Sequence, residues 1–158
     1  MERGGRLSEP PLTFASGVAE LKVWEIPTNM PDSAKAKRDR AEVDGRKTLH
    51  ILTTTNIASS WRSTVLLGQG KYRFEALAKV AGVESLSNTI KGAGAGIRDS
   101  KPRQPRSNKL EGDSSWQPLT YEFQVPFEED EIQLFCELRA AKGEVWFDLD
   151  SLRLVKLK

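Results

Sequence analysis

The chain has 158 residues, 38% hydrophobic and 29% charged, with 24 Lys and Arg against 22 Asp and Glu for a formal net charge of +2. That length supports one domain with a substantial core, and so mild a charge does not imply a nucleic-acid partner. A single cysteine, Cys136, allows no intramolecular disulfide, and no apolar run reaches the length of a membrane span.

Residues 1–12, built of Gly, Arg, Ser and Pro with little to bury, read as a linker or disordered N-terminus, which leaves 13–158 as a single β-sandwich domain. They lack the apolar segment of a signal peptide. Ala19–Ile26 reads as a first strand, ended by Pro27. Thr28–Gly45 is polar and reads as a long loop, with one or two helical turns over Ser33–Ala41 and no apolar stripe for a longer helix. Lys47–Thr55 alternates with Leu49 and Ile51 inward, and Ser59–Leu67 places Trp61, Ser63, Val65 and Leu67 on one side. Gly68-Gln-Gly reads as a tight turn.

In Tyr72–Val80, Tyr72, Phe74, Ala76, Ala78 and Val80 face one way and Arg73, Glu75, Leu77 and Lys79 the other. Gly92–Arg98 is a glycine-interleaved strand, and Asp99–Asp113 a long surface loop. The basic clusters Lys35–Arg40 and Lys101–Lys109 fall in such loop segments and read as solvated surface. The C-terminal third carries the clearest period of two: Leu119, Tyr121, Phe123 and Val125; then Ile132, Leu134, Cys136 and Leu138; then Val145 with Phe147 and Leu152 with Leu154. With no βαβ alternation, the pattern predicts an all-β fold, a jelly-roll β-sandwich of about eight antiparallel strands.

Little in the chain suggests catalysis. One histidine, His50, leaves most His-based triads and metal clusters without material. Cys136 lies in an apolar row, as a buried small hydrophobe would. Gly92-Ala-Gly-Ala-Gly lacks the Gly-Lys-Ser/Thr ending of a phosphate loop. The run Glu128–Glu131 reads as a charged turn, and Asp148 with Asp150 does not by itself make a glycosidase. A lyase built on Tyr72 or Tyr121 with Arg is disfavoured because both tyrosines sit on inferred core faces.

Four pieces in order carry a resemblance: Asp44-Gly-Arg-Lys-Thr-Leu-His-Ile, Trp61 through Gly-Lys-Tyr-Arg-Phe74, Trp116 to Val125, and Gly143-Glu-Val-Trp-Phe-Asp-Leu-Asp-Ser-Leu-Arg-Leu. From Gly45 to the C-terminus the chain resembles the family 4/9 carbohydrate-binding modules, a galactose-binding-domain-like branch of the jelly rolls. The resemblance implies a non-catalytic domain that binds a polysaccharide and is appended to a larger bacterial extracellular or cell-surface protein. It also implies a structural calcium in many members. Asp148 matches the aspartate of the closing strand, whereas the N-terminal Phe-Glu of the family reads Phe14-Ala15 here, one ligand short for a cation that wants six to eight oxygens.

Strand alternation then supplies candidate glycan contacts. Opposite the core lie Arg73, Glu75 and Lys79 on one strand, Phe135, Glu137 and Arg139 with Gln133 on another, and Arg98 on the glycine-rich strand. Planar guanidiniums suit carboxylate or sulfate groups, which makes an acidic polysaccharide a candidate ligand. The alternative is a solvated lattice of cross-strand ion pairs. Of the tryptophans, Trp61 and Trp116 read as packing. Trp24 and Trp146 point away from Val23 and from Val145 with Phe147, and are candidates to stack on a sugar ring. The competing functional reading is a structural or protein-interaction β-sandwich domain of a secreted protein, without glycan binding.

Overall fold

A computed structural model describes residues 12–26, 36–55, 57–85, 94–101 and 108–157. The expected N-terminal linker up to residue 11, residue 27 with residues 28–35 of the expected loop Thr28–Gly45, residues 86–93, which include the first two residues of the expected strand Gly92–Arg98, and residues 102–107 of the expected loop Asp99–Asp113 lie outside the described residues. The strands are β1 (Val18–Glu20), β2 (Ala36–Val43), β3 (Arg46–Thr53), β4 (Ile57–Ser85), β5 (Gly94–Asp99), β6 (Gly112–Asp148) and β7 (Arg153–Lys156), with a 3-10 turn at Leu149–Ser151. The all-β expectation holds, and among the described residues no helix is long and apolar enough to cross a membrane.

β4 and β6 are long because each serves both layers of the sandwich. Trp61 lies opposite Cys136 and Ser63 opposite Leu134; further on, Tyr72 lies opposite Phe123 and Phe74 opposite Tyr121. Partner numbers fall as chain numbers rise, so the two strands form one antiparallel ribbon. It bends where Gly68 faces Glu129 and Gly70 already faces Val125. Gly68-Gln-Gly is therefore the corner at which the ribbon changes layer, where sequence reading expected a hairpin turn.

The first layer consists of 57–68 of β4, 129–140 of β6, and β5 along the other edge of β6, with Ile97 opposite Cys136. The second layer takes 70–85 of β4 and 112–125 of β6. The last stretch of β6 enters it between β3 and β4, with Val145 facing both Ile51 and Val80. β7 continues that edge opposite Tyr72–Glu75, and β1 and β2 close the two ends.

The core lies between the layers. Leu49, Ile51, Phe74 and Phe147 from the second meet Ile97, Ile132, Leu134 and Leu138 from the first, all at 0% exposure. Trp61 crosses the gap to donate its Nε1–H to the His50 carbonyl at 3.1 Å. Each such side chain contributes roughly 1.5–3 kcal/mol of gross hydrophobic stabilisation, against the entropy of ordering it.

Two segments depart from expectation for clear physical reasons. Residues 36–43, expected in a loop, form strand β2, paired with β3 from Ala36 opposite Thr53 to Val43 opposite Arg46. An edge strand needs no apolar stripe, since backbone pairing on one side holds it. Asp44 and Gly45 follow with φ of 54° and 74°, the two successive positive angles of a tight hairpin turn. The expected first strand, in turn, is interrupted. β1 pairs with β7, but Glu25 already bridges Arg62 of the other layer. While the chain changes layer, alternation fails, so Leu21 and Trp24 both point inward and Val23 is 71% exposed.

Candidate functional site

The outer face of the first layer is set by what the core takes. Ile132, Leu134, Cys136 and Leu138 fill the interior, so Gln133, Phe135, Glu137 and Arg139 project to the other side. In register with Phe135 stand Arg62 of β4 and Arg98 of β5, one on each neighbouring strand. Their guanidinium carbons lie 4.2 Å and 4.5 Å from the phenyl centroid. The strand register thus builds a cross-strand row, Arg62–Phe135–Arg98, held by cation–π contact.

Each guanidinium is oriented from below. Arg62 donates Nε–H to Ser60 Oγ at 3.1 Å, and Arg98 donates Nε–H to Glu137 Oε2 at 2.9 Å and Nη1–H to the Asp99 carbonyl at 3.0 Å. Arg38 reaches over from β2 to the Ser60 carbonyl at 3.4 Å. Further along β6, two residues beyond Glu137, the buried Nε of Arg139 has no hydrogen-bond partner among the described residues. Burial, then the charge of Arg98, lowers the pKa of Arg62, with Glu137 acting the other way. Burial, then the charge of Arg62, does the same to Arg38. Arg62 and Arg38 remain cations at neutral pH, and the Glu137 carboxylate acts on both Arg62 and Arg98.

The predicted site residues do not converge on one surface. Arg98, Phe135, Glu137 and Arg139 come together as just described. Arg73, Glu75 and Lys79 project from the second layer, on the opposite side of the molecule, because β4 pairs with 129–140 of β6 only through its first half. There Glu75 accepts from Arg73 and from Arg153 Nε at 2.7 Å, and Lys79 pairs with Asp44 at 3.0 Å. Burial alone would raise the Glu75 pKa, but the hydrogen bonds from Arg153 and Arg73 outweigh it and hold the carboxyl below its usual value. Beside this cluster lies a depression of about 330 Å³ lined by Leu77, Pro118 and Ser151.

Trp24 offers no platform for a sugar. It is 4% exposed, donates Nε1–H to the Leu21 carbonyl at 3.0 Å and stacks on Phe74 at 6.1 Å. Trp146 is half-buried on the outer face of the second layer and stacks on His50 at 5.3 Å. The His50 ring nitrogens lie 2.8 Å from Asp39 and 2.8 Å from Glu144. Trp116, expected in the core, is also half-buried, with its Nε1–H on Asp44 and the Arg46 guanidinium 5.0 Å above its ring.

The surroundings of Asp148 do not fit calcium. Its Oδ2 takes Arg46 Nη1 at 2.6 Å and its Oδ1 takes the Asp150 backbone N–H at 3.0 Å. A guanidinium thus stands on the carboxylate that a cation would need, and no group of three potential ligands gathers among the described residues.

Sequence reasoning missed Arg62 and Arg38. Alternation did put Arg62 opposite Trp61 and Val65, but only the register shows that it meets Phe135. Arg38 was hidden because its strand was read as loop. The signal available was the Asp44-Gly45 hairpin pair, which implies a strand on both sides.

No protein-family model matches the sequence, and no curated protein matches it. Solved structures do. A family 61 carbohydrate-binding module in complex with β-1,4-galactotriose aligns over 87% of this chain and 90% of its own, with TM-score 0.50 and 17% identity. A family 4 carbohydrate-binding module aligns over 87% and 88%, with TM-score 0.52 and 14% identity. The family 22 and family 10 modules of a Clostridium thermocellum endo-1,4-β-D-xylanase, complexed with xylohexaose, align over 89% of this chain and 27% of that one, with TM-score 0.55 and 11% identity. The likeness spreads over several families and does not single out the 4/9 branch. At these identities it establishes the fold: the chain has the jelly-roll β-sandwich of the carbohydrate-binding modules.

Proposed function

We propose that this chain is a non-catalytic carbohydrate-binding module, carried extracellularly on a larger protein, with its site on the outer face of the first layer. The observation that carries the reading is the Arg62–Phe135–Arg98 row with Glu137 beside it, on a sheet face of this fold. Hydrogen-bonding groups fixed on a rigid sheet are what recognition of hydroxyl-rich ligands requires. Two of the neighbours are complexed with β-1,4-galactotriose and xylohexaose, and the family 22 neighbour sits on a xylanase chain.

The non-catalytic reading is supported by where the reactive groups lie. Tyr72 is 1% exposed with its O–H on the Gly68 carbonyl, and burial raises its pKa. Burial, then the charge of Glu137, pushes the Cys136 thiol well above its usual pKa. A protein-docking role finds less support. Val23 is the one large hydrophobic side chain exposed among the described residues, far short of an apolar interface patch.

Affinity electrophoresis against a panel of neutral and acidic polysaccharides tests the proposal. Retardation by at least one glycan, reduced in Arg62→Ala and Arg98→Ala, is expected. Uniform free migration across the panel would favour the interaction-domain reading.

A further inference from the structure

The geometry points to a second, separate sugar site on the outer face of the second layer: a depression floored by Leu77 and Pro118 that takes one neutral pyranose ring. It uses none of the residues of the Phe135 row and goes beyond the module reading above. Its origin is a break in the sheet. β7 runs beside β4 as far as Glu75, opposite Arg153, and 143–148 of β6 takes over only at Ala78, opposite Phe147. Between them the chain makes the 3-10 turn Leu149–Ser151, so Leu77 has no strand partner on that side. Its N–H donates instead to Ser151 Oγ at 2.8 Å, and the Ser151 hydroxyl donates to the Asp148 carbonyl at 2.7 Å. The gap is thus held open by hydrogen bonds, and it leaves a depression of about 330 Å³. Ligand pockets start at roughly 300 Å³, so this one has room for a single ring rather than a chain.

The lining divides as a sugar does, into an apolar face and a polar rim. Leu77 is the apolar residue among the outward Arg73, Glu75 and Lys79 of β4, and Pro118 stands opposite it on β6. Together they give the C–H face of a pyranose a surface to lie on. Two residue rows bound that floor. In the first, Glu75 lies in register between Thr120 and Arg153. A carboxylate has about four acceptor sites, and Glu75 uses two, Oε2 for Arg73 and Oε1 for Arg153. Those two bonds fix its plane, leaving acceptor capacity for sugar hydroxyls beside the exposed Thr120, whose own hydroxyl both donates and accepts. In the second row, Lys79 stands opposite Trp146, and its Nζ meets the Trp116 Nε1–H on Asp44 Oδ2, each at 3.0 Å. Lys79 is about 7 Å along the strand from Leu77, so this row with its two half-buried indoles closes the other side.

Charge around the depression selects a neutral ligand. Arg73 and Arg153 are paired with Glu75, and Lys79 with Asp44. Glu122 stands opposite Arg73 as a further carboxylate. Three cations therefore meet three carboxylates, and an anionic ring would find no uncompensated positive charge to reward its desolvation. A neutral ring needs no such partner. Its hydroxyls join donors and acceptors already oriented by these pairs, which spares the cost of ordering them on binding.

The test is an amide NMR titration of the whole isotope-labelled chain with free glucose, galactose, mannose, xylose and glucuronate, in wild type and in Arg62→Ala. Sugars are taken to about 100 mM, since contact with a single ring supports a Kd in the millimolar range. For at least one neutral sugar, saturable shifts centred on Leu77, Leu119, Thr120 and Ser151 are expected, alike in both proteins. Glucuronate should bind no tighter than glucose. Thr120→Trp puts an indole into the depression from an exposed position and should weaken the binding about tenfold or more, with retardation by polysaccharides unchanged. Absence of saturable shifts, or shifts confined to the Phe135 row, would overturn the second site and leave the module reading to its own polysaccharide test. Saturable shifts at the depression in a protein that no polysaccharide retards would support the second site and overturn the first-layer one, so the two fail separately. Tighter binding of glucuronate would overturn the neutral assignment, and undiminished binding by folded Thr120→Trp would overturn the location. Should that variant fail to fold, Pro118→Lys, which removes part of the floor at another exposed position, answers the same question.

Discussion

Gly143→Ala should be among the most damaging single-methyl changes in this protein. Gly143 stands where β6 leaves the first layer and enters the second, facing Thr53 of β3. Its φ is 125°, a region that L side chains rarely adopt, which costs roughly 1–3 kcal/mol for alanine. A methyl at this position would also lie 2.5 Å from Val83 Cα and 2.8 Å from both the Gly82 carbonyl oxygen and the Val83 nitrogen. These are backbone atoms of a paired strand, so relief requires moving β4 against β6, about 1–3 kcal/mol of overpacking. Together the two terms come to roughly 2–6 kcal/mol, a large part of the 5–15 kcal/mol that holds a domain of this kind. Gly45→Ala is the control: φ is 74°, but nothing lies within 4 Å of the added methyl, so only the backbone cost, about 1–2 kcal/mol, applies. Urea unfolding followed by tryptophan fluorescence measures both. A Gly143→Ala cost no larger than that of Gly45→Ala would refute the close approach of β4 and β6 at the layer change.

Other consequences can be checked as directly. Trp24→Ala should lower stability by about 3–5 kcal/mol in chemical unfolding, through loss of a core aromatic, while its glycan affinity at a temperature where it is folded stays within twofold of wild type; a selective loss of binding would return Trp24 to the site. Cys136 should resist a thiol reagent such as Ellman's in the native protein and react fully in denaturant, because burial keeps the thiol protonated and out of reach; rapid native labelling would contradict its placement. Glu75 has a folded-state pKa held below its unfolded value, so its contribution is present above the unfolded pKa and is lost as pH falls through the folded one. Glu75→Gln should therefore flatten the loss of stability on acidification between about pH 5 and 3, and parallel curves for variant and wild type would show that Arg73 and Arg153 do not act on it.

The parts of the fold that were readable in the sequence are those where one face meets the core and the other meets water. Ile132 to Leu138 and Tyr72 to Val80 alternate because burial demands it, and their inward residues are the core observed. Alternation says nothing of which strand lies beside which. Arg73 and Arg139 both face outward, yet they belong to opposite sides of the molecule, because the ribbon of β4 and β6 bends between layers at Gly68–Gly70. The same limit hid the Arg62–Phe135–Arg98 row, which exists only through register. β2 escaped notice because an edge strand of Lys, Arg, Asp and Glu has no core-facing pattern to display. Trp24 was misjudged for a different reason: the chain around it changes layer, so period two does not apply there.

The central claim is that the outer face of the first layer, around Phe135, is the ligand-binding surface. The most direct measurement is an amide and arginine side-chain NMR titration of isotope-labelled protein with an oligosaccharide found to bind. The account predicts that shifts concentrate at residues 60–64, 96–98 and 133–139, with the Nε–H signals of Arg62 and Arg98 among the largest. Shifts gathered instead on Arg73, Lys79 and Trp146, with the Phe135 row unmoved, would place the site on the opposite face and contradict it.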